Sequence, residues 1–418
     1  MANHEKTIYV YADWFDQPPM LMGRLYVSAH RGKELFSFEY NRDWLQSTDA
    51  DIVFDPDLQL FEGRQYAHNK PLFGVFSDSC PDRWGRLLMK RKEQILAREE
   101  NRMPQALSES DFLLGVCDET RLGALRFSFE KGGPFLSAEK DLAAPPWTTL
   151  RALESASLAF ERDERSQEKR WLEMLLAPGS SLGGARPKAS VQAPDKSLWI
   201  AKFPSKNDEW DYGAWESVVH DLAIKCNLSV PEAKLEAFSD TGSTFLVKRF
   251  DRVGNRRVHF SSAMALLGKT DGAGAEGASY LDIASFIRSN GASPKNDLKE
   301  LWKRIVFSIA VSNTDDHLRN HGFLLTKRGW ALSPMFDVNP DIYGSALSLY
   351  ISTNDNSINF ELAIETAEYY DINTDDAISA VDDIKNTICE NWRVLATNKG
   401  LSKSAIDRME PAFDMEYK

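Results

Sequence analysis

The hydrophobic pattern of the chain changes near Arg252, and this change constrains its fold more than any other feature. Before Arg252, short runs rich in aromatic and β-branched residues are separated by turn residues, a pattern typical of strands. After it, long segments repeat apolar residues at helical spacing, among them SYLDIASFIRS and DLKELWKRIVFSIAVSN. The sequence therefore predicts an α+β chain in which a β-rich half precedes an α-rich half.

The first part of the chain is expected to contain an antiparallel β unit followed by a helix. Three runs between Thr7 and Trp44 have strand character, namely IYVYADW, MLMGRLYVS and ELFSFEYN. The segment CPDRWGRLLMKRKEQILAREE begins with Cys80 and predicts a basic amphipathic helix after its Pro-Asp pair. We interpret the positive charges of this helix as a solvated face, with a phosphate-binding stripe as the alternative. These charges are Arg83, Arg86, Lys90, Arg91 and Lys92.

A stretch rich in proline and glycine, from Lys131 to Trp147, indicates a linker. Beyond it the pattern predicts a helix over 148–176, a β-hairpin that turns at Pro194-Asp195-Lys196 and a helix over 210–226. The strand-like runs KLEAF and FLVKRF follow, and FSSAMALLG is expected to begin the helical part of the chain.

Charge and cysteine content exclude several classes of function. The 418 residues include 50 Lys and Arg against 62 Asp and Glu, and a net charge of −12 disfavours unaided binding to DNA or to an anionic membrane. The four cysteines are scattered and form no CxxC pair, so the sequence predicts neither a disulfide framework nor a zinc site. No apolar run is long enough to span a bilayer. We therefore expect a cytoplasmic protein without membrane contact.

A glycine-serine segment followed by a strand lysine suggests a phosphate site. The segment GSSLGGARPK contains glycines that let backbone N–H groups approach phosphate oxygens closely. The next strand, in SLWIAKFP, ends its apolar face with Lys202. A plain connecting loop and a lysine that extends to water are the structural alternatives. Glu216, on the next predicted helix, is either an exposed charge or the partner that orients Lys202.

The most informative segment is NTDDHLRNHGFLL, in which a polar cluster lies between an apolar helix end and an apolar strand. Asp315 and Asn320 have the D-x-x-x-x-N spacing of the kinase catalytic loop, where the aspartate takes the proton of the substrate hydroxyl and the asparagine holds Mg²⁺. Asp337 follows the strand-like GWALS, where a kinase has its metal-binding aspartate. Val-Asn follows Asp337 in place of the Phe-Gly of protein kinases.

The order of these motifs along the chain favours magnesium-dependent phosphoryl transfer. Each motif is weak evidence alone, but all of them occur in the order and spacing that this chemistry requires. Two other patterns are interpreted differently. His317 and His321 are four residues apart but lack the acidic residue and the helix of a zinc site. The segment from Asp371 to Asp382 begins like a calcium loop but lacks its glycine, and we interpret it as a helix cap.

Together these segments resemble the HipA family of serine/threonine kinases, the kinase half of HipBA toxin–antitoxin modules. PLFGVFSDSCPDRWGR is similar to a segment of the first unit in that family, SSLGGARPKA to its glycine loop, IAKFP to its lysine strand, VKRFDR to its hinge, NTDDHLRNHGFL to its catalytic loop and SPMFDVNP to its metal segment. The resemblance implies a two-lobed protein-kinase-like fold of the α+β class. It places an extra β-rich subdomain at 1–130, a β-rich N-terminal lobe at 148–252 and a mainly α-helical C-terminal lobe at 253–418.

The resemblance also implies roles for individual residues. Asp315 is implied as the catalytic base, Asn320 and Asp337 as magnesium ligands, and Ser181 as the autophosphorylated loop serine, with Ser180 as the neighbouring alternative. Residues of the implied nucleotide site are Gly183, Gly184, Ala185, Arg186, Lys188, Lys202, Lys248, Arg249, Phe250, His317, Asn320 and Asp337.

The expected function is that of an ATP- and Mg²⁺-dependent serine/threonine kinase that acts as the toxin of a type II toxin–antitoxin system. The implied partners are a HipB-like helix-turn-helix antitoxin, DNA reached only through that antitoxin, and a cytoplasmic protein substrate such as an aminoacyl-tRNA synthetase. A catalytically silent scaffold and a small-molecule phosphotransferase are the alternatives. The presence of Lys202, Asp315 and Asp337 together disfavours the scaffold, whereas spacing alone does not exclude the small-molecule enzyme.

Overall fold

The computed structural model describes residues 5–15, 17–30, 32–47, 52–138, 144–162, 172, 175, 184, 186–272 and 276–418. The chain forms two compact units, which we call the first and the second unit. The first unit consists of Met1–Lys206 and Lys248–Thr270, and the second of Asn207–Val247 and Asp271–Lys418. The domain bounds expected from the sequence remain predictions.

The strands of the described residues are numbered in chain order. They are β1 (Lys6–Ala12), β2 (Met20–His30), β3 (Lys33–Tyr40), β4 (Gln65–Tyr66), β5 (Leu125–Ser128), β6 (Lys188–Gln192), β7 (Leu198–Lys202), β8 (Ala233–Ser239), β9 (Gly242–Lys248), β10 (Arg252–Val253), β11 (Arg256–Arg257), β12 (Phe260–Ser262), β13 (Gly322–Thr326) and β14 (Gly329–Leu332).

The α-helices of the same residues are numbered in the same way, and short 3₁₀ turns occur at Trp147–Thr149, Ala367–Tyr370 and Glu410–Phe413. The helices are α1 (Arg42–Leu45), α2 (Gly74–Ser77), α3 (Arg83–Glu99), α4 (Glu109–Leu114), α5 (Leu150–Glu161), α6 (Tyr212–Lys225), α7 (Ala263–Leu266), α8 (Tyr280–Asn290), α9 (Pro294–Ala310), α10 (Phe360–Glu365), α11 (Thr374–Asn398) and α12 (Lys403–Met409).

The first unit contains a five-stranded antiparallel sheet in the order β4-β3-β2-β1-β5. Its core side is lined by residues such as Ile8, Val10, Leu25 and Phe38, all of which are fully buried. Burial of one face of such a sheet selects the alternating apolar pattern that its sequence shows. The predicted antiparallel β unit is confirmed.

Helix α3 starts where the Pro-Asp pair predicts. The carboxylate of Asp82 caps the helix by accepting the backbone N–H of Gly85 at 2.8 Å. Trp84 and Leu88 are buried, whereas Leu87 is 49% exposed. On the basic side Arg86 makes a two-point ion pair with Glu109, at 2.7 and 2.8 Å. Arg83, Lys90 and Lys92 are exposed, in agreement with a solvated face.

The hairpin of β6 and β7 also forms as predicted. Ala193 donates its N–H to the carbonyl of Ser197 at 2.9 Å, and Lys196 has a left-handed backbone with a φ of 66°. Of the helix expected over 148–176, the structure describes α5, which ends at Glu161, and the helical residues Leu172 and Leu175. The helix expected over FSSAMALLG is wrong in its first turn, because these residues form β12 and Ser262 caps α7 by accepting the N–H of Ala265.

A buried ion network joins two distant segments of the first unit. Asp251 accepts two bonds from Arg249, at 2.6 and 2.8 Å, one from Arg252 at 2.7 Å and one from the N–H of Gly123 at 2.9 Å. Arg249 also donates to the carbonyls of Thr120 and Arg121. Burial alone would raise the pKa of the Asp251 carboxyl, but the two arginines more than offset this and hold that pKa well below its usual range.

The second unit contains α6, the loop that leaves α9 and the hairpin that follows this loop. In α6, Asp211 caps the first turn and also accepts two hydrogen bonds from Ser243, at 3.0 and 2.7 Å. A Cβ at Gly213 would lie 2.2 Å from the carbonyl oxygen of Ser243, so only glycine permits this approach. The two strand-like segments expected after the loop are confirmed as β13 and β14, which pair as an antiparallel hairpin. As predicted, Asn373 caps a helix, α11, by accepting the N–H of Asp376.

We expect Asp251→Asn to destabilise the protein by about 3–5 kcal/mol at pH 7, because it leaves buried arginines without their counter-charge. Since the pKa of Asp251 is lowered in the folded state, this contribution is complete above the unfolded pKa of about 3.9 and is lost as the pH falls through the folded value. Urea unfolding at pH 7 and at lower pH measures both effects.

The control is Glu5→Gln, which removes the exposed ion pair with Arg64 and should cost about 1 kcal/mol or less. Equal losses for the two variants would contradict the assignment of Asp251 as the centre of the network.

Candidate active site

The loop between α9 and β13 begins with a sharp change of backbone direction. Ser312 has a left-handed backbone with a φ of 53°, and the next amide, that of Asn313, bonds back to the carbonyl of Ser308 at 2.8 Å. Asn313 is buried, and its side-chain oxygen accepts the N–H of Asn339 at 3.3 Å. These contacts determine where α9 ends and the direction in which the loop leaves it.

Asp315 and Asn320, the two residues singled out by their spacing, belong to the same turn of this loop. Asp315 is exposed, whereas Asn320 is buried. The side-chain amide of Asn320 donates to the carbonyl of Asp315 at 3.1 Å, and its backbone N–H donates to the carbonyl of His317 at 2.8 Å. Among the described residues the Oδ1 atom of Asn320 has no hydrogen-bond partner, although it is buried. A buried oxygen in this condition fits the ligand of a hard cation.

Asp316, which follows Asp315, has the opposite environment. Its carboxylate is buried and accepts the hydroxyl of Tyr280 at 2.6 Å and that of Ser308 at 3.3 Å. The Nε2 atom of His321 lies 2.9 Å from its other oxygen. Burial alone would raise the pKa of the Asp316 carboxyl, but His321 and Tyr280 offset this and hold that pKa below its usual value. Of the two consecutive aspartates, Asp315 is therefore exposed to solvent, whereas Asp316 is buried and anchors the loop.

Asp337 lies after β14 in a left-handed backbone with a φ of 60°, which is unusual for a residue with a side chain. The residues around it are held on both sides. Met335 donates its N–H to the carbonyl of Ser229 at 2.8 Å, and Asp341 donates its N–H to the carbonyl of Ser312 at 3.0 Å. Such a conformation persists where the surroundings fix it, and it is concentrated at functional sites.

Glu216 and Asp337 line the same small pocket of the second unit. Glu216 comes from α6 and is buried, and the apolar wall includes Val219, Phe245 and Phe336. The sequence placed Glu216 and Asp337 in one site on the basis of kinase motifs alone, and the structure brings these two residues together.

Thr314, which precedes Asp315, links the loop to the segment that follows Asp337. Its hydroxyl donates to the carboxylate of Asp341, and its carbonyl accepts the N–H and the hydroxyl of Ser348, at 3.0 and 2.8 Å. A Cβ at Gly344 would lie 2.4 Å from the Thr314 hydroxyl oxygen, so the close approach requires glycine. The two segments that carry the candidate catalytic residues are thus locked to each other.

In the first unit, Lys188 has a protein partner. Its ammonium group lies 2.9 Å from the carboxylate of Asp82 and 3.3 Å from the carbonyl of Gly184, and its side chain is only 3% exposed. Lys202 lies opposite Lys188 at the end of β7 and is half-buried. The assignment of Lys188 to a nucleotide stays a prediction, because the structure accounts for its charge without one.

The predicted hinge residues Lys248, Arg249 and Phe250 also contact other residues of the first unit. Arg249 is buried in the Asp251 network, and its backbone N–H already donates to the carbonyl of Leu198 at 2.9 Å. Lys248 has its ammonium group 5.9 Å from the centre of the Trp199 ring, and Phe250 packs against Phe260. A structural role thus explains Arg249, and its assignment to a nucleotide stays a prediction.

Part of the glycine loop lies outside the described residues, including Ser180, Ser181, Gly183 and Ala185. Gly184 is described and has a left-handed backbone with a φ of 69°, as a loop glycine allows, and Arg186 is half-buried. Beyond the predicted residues, the structure adds Asp316, Asn339 and Asp341 to the site. Asn339, like Asn320, has a buried Oδ1 atom that lacks a partner among the described residues.

The comparison with protein families identifies the chain. The model of the HipA-like C-terminal domain matches residues 180–392, just over half of the chain, and the chain therefore belongs to this family. The "Putative kinase" of Haemophilus influenzae is 26% identical over 198 residues, which are 40% of this chain and 56% of that protein. The "Putative kinase Y4dM" of Sinorhizobium fredii is 27% identical over 152 residues, which are 34% and 36% of the two chains. The chain thus matches about half or less of the length of these relatives.

A solved structure is similar over almost the whole chain. It is that of the Shewanella oneidensis MR-1 toxin–antitoxin complex of HipA, HipB and operator DNA. The match has a TM-score of 0.68 and 16% sequence identity, and it covers 97% of this chain and 95% of the other chain. The fold is therefore that of HipA, and the α+β, protein-kinase-like fold class expected from the sequence is confirmed. Among the described residues, no helix combines the length and the apolar character needed to cross a membrane.

The partner of Lys188 generates a prediction. We expect Lys188→Gln and Asp82→Asn each to lower the free energy of unfolding by about 3–5 kcal/mol, and the double variant to lose much less than the sum, because both changes break one buried pair. Chemical unfolding of the three variants and the wild type measures this coupling. A Lys188→Gln variant with unchanged stability and weakened ATP affinity would instead assign the lysine to the nucleotide.

Proposed function

We propose that this protein is an ATP- and Mg²⁺-dependent serine/threonine kinase that acts as the toxin of a toxin–antitoxin pair. The observation that carries the proposal is the catalytic loop, in which exposed Asp315 and buried Asn320 share one turn and the Asn320 Oδ1 atom lacks a hydrogen-bond partner among the described residues. Membership of the HipA-like family and relatives named as kinases support it.

Each residue has a stated role in this proposal. Asp315, the exposed member of the pair of aspartates, accepts the proton of the substrate hydroxyl as that oxygen attacks the terminal phosphate of ATP. Lys202 binds the ATP phosphates and Glu216 orients it, as a lysine and a helix glutamate do in kinases. His317 lies between Asp315 and Asn320 in the loop and contributes to the phosphate site.

The residues present fit a magnesium ion. Asn320 offers a buried oxygen without a partner in the described parts of the chain, and Asp337 offers a carboxylate that lines the pocket with Glu216. Oxygen atoms of this kind are the ligands that Mg²⁺ prefers. When bound, the ion neutralises charge on the transferred phosphate. In this proposal Asn320 and Asp337 hold it, and the side-chain amide of Asn320 stays bonded to the loop.

The proposed partner is a HipB-like antitoxin with a helix-turn-helix, through which the complex reaches DNA. The similar structure is a complex of HipA, HipB and operator DNA, which supports this assignment. A chain with a net charge of −12 is poorly suited to bind DNA by itself. The proposed substrate is a cytoplasmic protein of the translation apparatus, such as an aminoacyl-tRNA synthetase.

The change Asp315→Asn tests the function directly. It should lower the rate of phosphate transfer from γ-labelled ATP to protein by about 10²–10⁴-fold, because it removes a positioned base and keeps the shape of the side chain. Asp375→Asn, an exposed carboxylate in the first turn of α11, is the matched control and should keep the wild-type rate. A wild-type rate in Asp315→Asn, or no transfer by the wild type with any protein or with itself, would contradict the proposal.

We propose that the kinase modifies its own glycine loop at Ser181. A phosphate adds roughly −1.5 to −2 charges at pH 7, which is unfavourable beside the phosphates of ATP and should inactivate the enzyme. Incubation with Mg-ATP followed by peptide mass spectrometry should find one phosphate between Trp171 and Arg186.

In that experiment Ser181→Ala should abolish the phosphate and keep activity toward other proteins, whereas Ser180→Ala, the matched control, should leave the phosphate in place. Modification of Ser180 alone would refute the assignment, as would an unmodified loop during turnover.

A further inference from the structure

We propose that Asp316, Tyr280 and His321 form a positioning cluster that sets the catalytic loop for turnover. The inference rests on the proposed kinase function and concerns residues to which the kinase motifs assign no role. Asp316 directly follows Asp315, and His321 directly follows Asn320. The two residues next to the proposed base and metal ligand therefore lie within ion-pair distance of each other, with 2.9 Å between His321 Nε2 and Asp316 Oδ1.

The cluster is buried and rests on two helices. The exposed fractions of Tyr280, Asp316 and His321 are 0%, 4% and 3%. Tyr280 comes from α8 and donates to Asp316 at 2.6 Å, and Ser308 from α9 donates to the same oxygen at 3.3 Å. Charge-assisted hydrogen bonds that are shielded from water are stronger than exposed ones, so this contact resists rearrangement of the loop.

Asp316 has a different role from Asp315. Its Oδ2 atom accepts the hydroxyls of Tyr280 and Ser308, its Oδ1 atom lies 2.9 Å from His321 Nε2, and its burial leaves no access for a substrate hydroxyl. It acts on the chemistry only through the backbone, by holding the residues on either side of the Asp315 to Asn320 turn. Asp316 is thus a positioning residue, and Asp315 keeps the catalytic role.

Loss of this cluster should affect turnover more than binding. The loop carries the proposed base and one proposed metal ligand, Asn320, which keeps its own bonds to the carbonyls of Asp315 and His317. The other proposed binding residues, Lys202, Glu216 and Asp337, lie on β7, on α6 and after β14. A misplacement of about 1 Å in a catalytic group costs on the order of 10²-fold in rate. Asp316→Asn should therefore lower kcat by about 10–100-fold and change the KM for ATP by less than about threefold.

Tyrosine variants provide a matched pair. Tyr280→Phe removes the hydroxyl that donates to Asp316 and should lower kcat by about three- to tenfold. Tyr370→Phe changes an equally buried tyrosine of the same unit, whose hydroxyl has no hydrogen-bond partner in the described parts of the chain, and should leave kcat unchanged.

The experiment measures kcat, the KM for ATP and amide hydrogen exchange over residues 312–322 for the wild type and the three variants. Faster exchange of the loop with a lower kcat in Asp316→Asn and Tyr280→Phe, but not in Tyr370→Phe, supports the proposal. Unchanged kcat and exchange in Asp316→Asn overturn it, as does a loss of kcat that is equal in both tyrosine variants. If Asp316→Asn does not fold, the tyrosine pair decides.

A different outcome would refute the kinase assignment itself. If the wild type transfers no phosphate, the proposed function is wrong, and hydrogen exchange alone then decides whether the cluster holds the loop.

Discussion

The turn from Asp315 to Asn320 depends on hydrogen bonds made in the interior of the second unit. Asn313 and Asp316 are buried, and burial of a polar group costs free energy unless its hydrogen bonds are made. Asn313 bonds to the helix end and to the segment after Asp337, and Asp316 bonds to α8 and α9. With these contacts in place Asp315 is exposed, and one buried oxygen of Asn320 has no partner among the described residues, which are the two conditions that the proposed chemistry requires.

The first unit also contains a buried carboxylate whose hydrogen bonds are made, and there the network has a structural role. Asp251 is surrounded by Arg249, Arg252 and the amide of Gly123, so its charge is stabilised although it is buried. The network joins segments that are far apart in the chain and gives the KRFDR sequence a role in the core. The surroundings of Asp251 satisfy its carboxylate completely, whereas the Asn320 oxygen remains available for a ligand.

The sequence predicted much of the local structure because the signals were local. The Pro-Asp start of α3, the hairpin turn at Pro194-Asp195-Lys196 and the cap at Asn373 each depend on neighbouring residues. The same holds for the loop that carries Asp315 and Asn320, which the apolar segments on either side located correctly between a helix and a strand.

What the sequence could not predict depends on contacts between distant residues. Arg249 donates to the carbonyl of Thr120, and Lys188 pairs with Asp82, so each of these side chains has a partner more than 100 positions away. Nothing in the pair Asp315-Asp316 reveals which carboxylate is buried, because Tyr280 decides it from another helix. The sequence does show that Asp316 and His321 each directly follow a motif residue. Only the structure shows that these two side chains lie next to each other.

The most direct test of the proposed site is a crystal structure of the protein with Mg²⁺ and a non-hydrolysable ATP analogue. We predict that Asn320 Oδ1 and the Asp337 carboxylate bind the metal, and that Asp315 does not bind it but faces the terminal phosphate. A nucleotide bound without metal contact from either residue, or a metal held elsewhere, would contradict the central claim.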